Sequence, residues 1–187
     1  ILLIVFIAFP YIMERSRLKM GEPSRADAPG DFCSLSKGLT HYRYFGPKTG
    51  PLVVCIHGLT TPSFVFEAIA KEFEAKGYRV LVYDHYGRGY SDRPSGVQDR
   101  QFFVEHLREL LDSLGEQDAF DLVGYSMGGA IASAFSAEHL DRIKKLILLA
   151  PAGMGHELGY LAKIAFRVPL FGNWAFMALY ARLHRQV

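Results

Sequence analysis

The sequence predicts an α/β fold, a mostly parallel sheet with helices on both faces, incomplete at its C-terminal side. Three observations predict it. Leu52-Val53-Val54-Cys55-Ile56, Val80-Leu81-Val82-Tyr83 and Leu146-Ile147-Leu148-Leu149 are unbroken apolar runs of strand length, and the first two fit strands covered on both faces. Between them, apolar residues recur every three or four positions, the period of a helix lying on a core. Strand and helix patterns alternate four times along residues 52–149, and parallel strands need such crossovers.

The elements follow in order. Ile1 to Met13 are apolar apart from the Tyr11 hydroxyl, and the basic residues Arg15, Arg17 and Lys19 flank them. A spanning helix needs roughly 20 apolar residues. Because the chain opens on Ile rather than Met, residues 1–19 are expected to be the remainder of a membrane anchor. A signal-peptide remnant is the alternative, although no small-x-small cleavage pattern follows the run. The basic flank favours the cytoplasmic face, so the expected localisation is membrane-anchored. Residues 20–30, with two prolines and two glycines, read as a linker. Runs 31–35 and 39–45, parted by Lys37-Gly38, read as an edge hairpin in which Tyr42 and Tyr44 alternate with His41, Arg43 and Phe45.

After strand 52–56, the residues Val65, Phe66, Ile69, Ala70 and Phe73 mark a helix that Gly77 stops. After strand 80–83, a second helix face is formed by Phe103, Leu107, Leu110, Leu111 and Leu114, closed by Gly115. Strand 120–123, a small-residue helix 127–138 and strand 146–149 complete the core, so residues 31–155 form its N-terminal part. The tail to Val187 is apolar, weakly basic and helical in pattern, with Glu157 its only acidic residue. Residues 156–187 are expected to begin a helical cap. It reads either as a half-built helical layer or as a lipid-facing surface.

Composition narrows the function. A chain of 187 residues suits one domain, and 50% hydrophobic with 21% charged residues excludes disorder. A net charge of +2, with no basic run carrying interleaved aromatics, gives no footing for nucleic acid. The two cysteines, Cys33 and Cys55, have no metal spacing. No metal or organic cofactor is expected.

Gly124-Tyr125-Ser126-Met127-Gly128 is a G-x-S-x-G pentapeptide between a strand and a helix, the context in which that motif makes a nucleophile turn. The flanking glycines allow a sharp bend, and the bend lifts the Ser126 hydroxyl off the sheet. The following helix N-terminus adds partial positive charge and free N–H groups. His57-Gly58-Leu59 ends strand 52–56, where the chain must turn with a backbone N–H left facing the site. Leu59 N–H and Met127 N–H would together form an oxyanion hole. His57 precedes the serine in the chain and is expected to hold the loop rather than act as base. Asp84, opening the run Asp84-His85-Tyr86-Gly87-Arg88-Gly89-Tyr90-Ser91-Asp92-Arg93-Pro94, is expected to pin a turn through backbone N–H groups. Tyr86 and Tyr90 are expected as exposed loop tyrosines, with the pocket mouth as their alternative place.

These three motifs in this order resemble the α/β-hydrolase superfamily. The closest flavour is the single-domain serine hydrolases that include monoacylglycerol lipases and carbon–carbon bond hydrolases. The resemblance covers about residues 31–155. It implies that Ser126 is the nucleophile and that Leu59 and Met127 are the oxyanion donors. Haloalkane dehalogenases and epoxide hydrolases of the superfamily carry aspartate at the nucleophile position, so Ser126 argues against those chemistries. The resemblance also implies a triad acid and histidine further along, after Val187. Gly155-His156 mimics the family's terminal histidine motif but falls only thirty residues beyond the serine, where the cap begins.

The expected function is a serine ester hydrolase acting on a small-molecule or lipid ester, acylglycerols included, with this stretch alone inactive. A carbon–carbon bond hydrolase or an acyltransferase on the same scaffold is the second reading. A non-catalytic short form acting as a binding protein is the third.

Overall fold

The computed structural model describes residues 20–153, together with residues 8, 9, 12 and 172. The chain divides into two compact units, Met20–Met154 and a second made of Ile1–Lys19 with Gly155–Val187. The elements below belong to the first.

Six strands form one sheet: β1 (Asp31–Leu35), β2 (Gly38–Phe45), β3 (Leu52–Ile56), β4 (Arg79–Tyr83), β5 (Phe120–Tyr125) and β6 (Ile143–Leu149). Their spatial order is β1-β2-β4-β3-β5-β6. β1 and β2 make an antiparallel hairpin whose second strand runs antiparallel to β4. β4, β3, β5 and β6 are mutually parallel. Three helices connect them: α1 (Glu67–Ala75), α2 (Arg100–Ser113) and α3 (Met127–Glu138).

β3 is the centre of the sheet, and all five of its residues are buried. That is why it reads as an unbroken apolar run: alternate side chains enter different cores. Leu52, Val54 and Ile56 join Leu81, Tyr83 and Leu122 under α2 and α3, whose Val104, Leu107, Leu111, Ile131 and Phe135 complete that layer. Val53 and Cys55 face the other way, with Val80, Val82, Phe66 and Ala70. Each fully buried leucine of α2 contributes roughly 2 kcal/mol. Asp99 caps α2 by accepting from Phe102 N–H at 2.9 Å, a contribution of about 1 kcal/mol.

The structure departs from the expected pattern in places. β6 begins at Ile143, which pairs with Phe120, and after a bulge at the exposed Lys144 the pairing resumes at the exposed Lys145 opposite Asp121. A tight turn, Ser63–Phe66, precedes α1 and rotates its face. Phe66 and Ala70 are therefore buried, while Val65 and Ile69 stand 36% and 37% exposed.

The stretch 20–30 holds a helical turn, Glu22–Arg25. Arg25 straps it to the body by donating to Tyr90 O at 2.9 Å and Asp92 Oδ1 at 2.5 Å.

The expected membrane-anchored localisation is corrected. Among the described residues, no helix is long and apolar enough to cross a membrane. The physical reason is length: a spanning helix needs roughly 20 apolar residues, and the longest described helix, α2 (Arg100–Ser113), has 14 residues and is amphipathic. Most of segment 1–19 lies outside the described residues, as does the cap expected over 156–187 apart from Gly172.

Candidate active site

Ser126 stands alone between the last residue of β5 and the first of α3, at φ 54° and ψ −118°. This is the left-handed side of conformational space, which L-residues enter at a cost of about 1–3 kcal/mol. The surroundings impose it. A Cβ on Gly128 would run into the carbonyl oxygens of Ile56 and His57, and one on Gly124 into Gly128 O and the Gly129 backbone. Only glycines let α3 start this close to the ends of β3 and β5. The turn is then fastened by its backbone: Ser126 N–H donates to Leu149 O at 3.0 Å, and Ser126 O accepts from Ala152 N–H at 2.8 Å and Gly129 N–H at 2.9 Å. The half-buried hydroxyl has no hydrogen-bond partner among the described residues.

The loop leaving β3 faces this turn. A Cβ on Gly58 would stand 3.2 Å from Ser126 Cβ, so a side chain there would crowd the serine. His57 is buried beneath the loop. Its Nδ1–H donates to Gly58 O at 2.7 Å, and its Nε2 accepts from His85 N–H at 2.9 Å. Those two partners fix one neutral tautomer. Burial lowers the imidazole to about 4, outweighing the opposing effect of the Gly58 bond, so the ring is uncharged near neutrality. The consequence reaches the next atom. Because the peptide is planar, holding Gly58 O turns the Leu59 N–H the opposite way. On the far side of the same residue, Arg88 Nε donates to Leu59 O at 3.3 Å, while its Nη1 donates to Tyr86 O at 3.2 Å and Gln98 Oε1 at 3.0 Å. Neither Leu59 N–H nor Met127 N–H meets an acceptor among the described residues.

A family model described as alpha/beta hydrolase fold matches residues 51–175. The chain belongs to the α/β-hydrolase family. It is 43% identical over 85 residues to a 2-hydroxymuconate semialdehyde hydrolase of Pseudomonas sp. (strain CF600), an alignment covering 45% of this chain and 30% of that protein. It is 31% identical over 144 residues to a haloalkane dehalogenase of Mycobacterium marinum, covering 75% of this chain and 46% of that protein. Among solved structures, an esterase from Exiguobacterium antarcticum superposes with a TM-score of 0.61 at 29% identity, covering 66% of this chain and 46% of that one. The chain thus spans less than half the length of these relatives. The family match gives this chain the alpha/beta hydrolase fold.

In this α/β hydrolase the loop after β4 supports the loop after β3. Asp84 Oδ1 accepts from Ser63 N–H at 2.8 Å, and Oδ2 accepts from Tyr90 N–H at 3.0 Å and lies 2.8 Å from His41 Nδ1. Burial pushes the Asp84 carboxyl up, but the bonds from His41, Ser63 and Tyr90 outweigh it and hold the group below its ordinary value. Asp84 therefore pins its turn, as the sequence suggests. The sequence does not reveal His41, whose ring is buried and 43 residues away in the chain. Tyr86 is not an exposed loop tyrosine: it is buried, stacked 3.8 Å from the His106 ring, with its hydroxyl donating to Gly38 O at 3.1 Å.

The structure brings the three expected site elements to one end of the sheet but pairs none of the described histidines with Ser126. His57 uses both nitrogens on backbone groups. His41 is engaged by Asp84 and Pro29 O, and His106 by the Thr40 hydroxyl. His156 lies outside the described residues. Among the described residues no cluster of His, Cys, Asp or Glu could hold a metal ion.

Proposed function

We propose that this hydrolase cleaves carboxylic esters through an acyl-enzyme on Ser126. The observation that carries the reading is the Ser126 turn, a non-glycine residue at positive φ with an unpartnered hydroxyl at a helix N-terminus. Strain of this kind persists where the surroundings over-determine it, as at a nucleophile turn. Ser126 Oγ attacks the ester carbonyl, the C–O π bond opens, and the negative charge develops on oxygen. Leu59 N–H and Met127 N–H receive that oxyanion, each such donor contributing roughly 3 kcal/mol to the barrier. Collapse expels the alcohol, and water then releases the acid from the ester on Ser126.

His57 and Arg88 act as positioning residues here, one holding the carbonyl of the Gly58–Leu59 peptide and the other the Leu59 carbonyl. The base that takes the Ser126 proton is supplied from outside residues 20–153, since each histidine within that stretch is either committed elsewhere or unlinked to the serine. Serine at the nucleophile position supports ester chemistry over the chemistry of the dehalogenase relative. The lipid substrate expected from the sequence rested on the membrane anchor and on the apolar start of the cap, of which the first is corrected and the second lies outside the described residues, and it is not carried forward. A carbon–carbon bond hydrolase is the second reading, supported by the 43% identity to the semialdehyde hydrolase.

The test is labelling by a fluorophosphonate probe, on this chain and on the product of its complete reading frame. Labelling of the longer product that disappears in Ser126→Ala supports the reading. Absence of Ser126-dependent labelling in both rejects it. A panel of aryl esters against vinylogous diketones then separates the two chemistries.

A further inference from the structure

A concavity is lined by the end of the loop that carries Leu59. It has a volume of about 280 Å³ and is lined by Pro29, His41, Arg43, Pro62, Phe64 and Tyr90, with Ser63, Asp84 and Gly89 completing it. The loop separates it from the serine: Gly58, at the loop's start, lies against Ser126, while Pro62 and Phe64, at its end, form this wall. We propose that this cavity binds a small organic monoanion, an apolar body of about ten non-hydrogen atoms carrying one carboxylate.

The walls dictate the body. The lining is mainly apolar, with Pro29, Pro62, Phe64 and Tyr90 supplying four ring side chains. Phe64 is 56% exposed, and an apolar occupant would take that ring out of water. The floor dictates what cannot bind. Asp84 already has three donors on its two oxygens, and both nitrogens of His41 have acceptors, Asp84 Oδ2 at 2.8 Å and Pro29 O at 2.5 Å. Polar groups so engaged offer a ligand little.

Arg43 dictates the head group. It lies two positions after His41 on β2 and so on the same face of the strand. Its guanidinium carbon lies 4.7 Å from the centre of the Phe45 ring, a cation–π contact that leaves its N–H groups available for hydrogen bonding. The carboxylate beside it, Glu67 Oε2, is 3.6 Å away, beyond ordinary hydrogen-bond length, and the other Glu67 oxygen is drawn 3.1 Å from Lys71 Nζ. An arginine at the edge of an apolar cavity, paired only loosely with Glu67, is complementary to a carboxylate on a small apolar frame. The cavity is independent of the Ser126 chemistry, and its test needs no turnover.

Benzoate titrated into the full chain, followed by amide NMR shifts, should give saturable changes at Phe64, Gly89 and Tyr90. Arg43→Gln should weaken binding about tenfold, and Arg43→Lys, which keeps the charge, should restore part of the loss. Benzamide, the same shape without the charge, should bind the native chain about as weakly as benzoate binds Arg43→Gln. Non-saturating shifts, shifts centred on Tyr125 to Met127, or equal affinity for benzoate and benzamide would each overturn the assignment. Phe64→Ala, at an exposed position, should weaken both probes alike. If it changes neither, the cavity is not where they sit.

Discussion

The turn after β5 and the loop after β4 leave the same sheet at the same end and treat their polar groups in opposite ways. At the β5 turn, Ser126 is strained and its hydroxyl has no described partner, and the Met127 N–H beside it is unengaged. At the β4 loop nearly everything is paired. Asp84 gathers Ser63, Tyr90 and His41, while Ser91 Oγ donates to Asp84 O at 2.6 Å and accepts from His41 N–H at 3.0 Å. The lesson is a division of labour. The strained turn is left open, while the loop after β4 braces the loop that carries Leu59 through Asp84 to Ser63, His85 to His57 and Arg88 to Leu59 O.

Breaking the satisfied region should therefore be the costlier change. Asp84→Ala strips the buried His41 ring of its carboxylate and orphans the Ser63 and Tyr90 N–H groups. The expected loss is about 3–5 kcal/mol, read as a drop in the urea midpoint at constant slope.

Acid should reach the same region without mutation. Burial holds His57 at about 4 and His106 at about 3, and holds His85 well below the ordinary 6.5. Between pH 6.5 and those values the unfolded chain binds more protons than the folded one. Stability should fall as pH is lowered from 6.5, by about 1.4 kcal/mol per pH unit for each histidine, with the His57 share exhausted below about 4. Urea midpoints at pH 7, 5.5 and 4.5 check this, and a flat profile across that range would refute it.

Ser126→Gly tests the opposite region. Glycine accepts φ 54° without strain, so a gain of about 1 kcal/mol is expected, seen as a raised melting temperature with no fluorophosphonate labelling. The smallest effect is reserved for the strap. Arg25→Ala removes the ties to Tyr90 O and Asp92 and should cost about 1 kcal/mol or less, because Asp92 is partly exposed.

The sequence makes plain the parts of this fold that are local. Buried parallel strands announce themselves as unbroken apolar runs, so β3 and β4 are legible, and β5 is read through the motif that ends it. The Ser126 turn is legible because two glycines and a serine at fixed spacing encode a steric requirement between neighbours. The start of β6 is hidden by Lys144 and Lys145, since pairing does not stop where hydropathy changes. His41 and Tyr86 are hidden for a different reason. Their burial depends on partners at Asp84 and His106, and nothing in the pattern around a lone histidine or tyrosine encodes a contact 43 residues away or a stack formed with another element.

The Asp84 network has a further consequence, for the order of events during synthesis. Its members, from Pro29 to Asp92, have all been made before the first residue of β5 is added. β3 and β4 are likewise complete and can pair with each other and with the β1–β2 hairpin. Domains are made from the N-terminus at about 5–20 residues per second, so the nascent chain has some seconds in which the supporting loops can set around His41 and Asp84. The strand that leads into Ser126 then docks beside a β3 whose outgoing loop is already braced, and the strained turn is the last of the three elements to leave the ribosome.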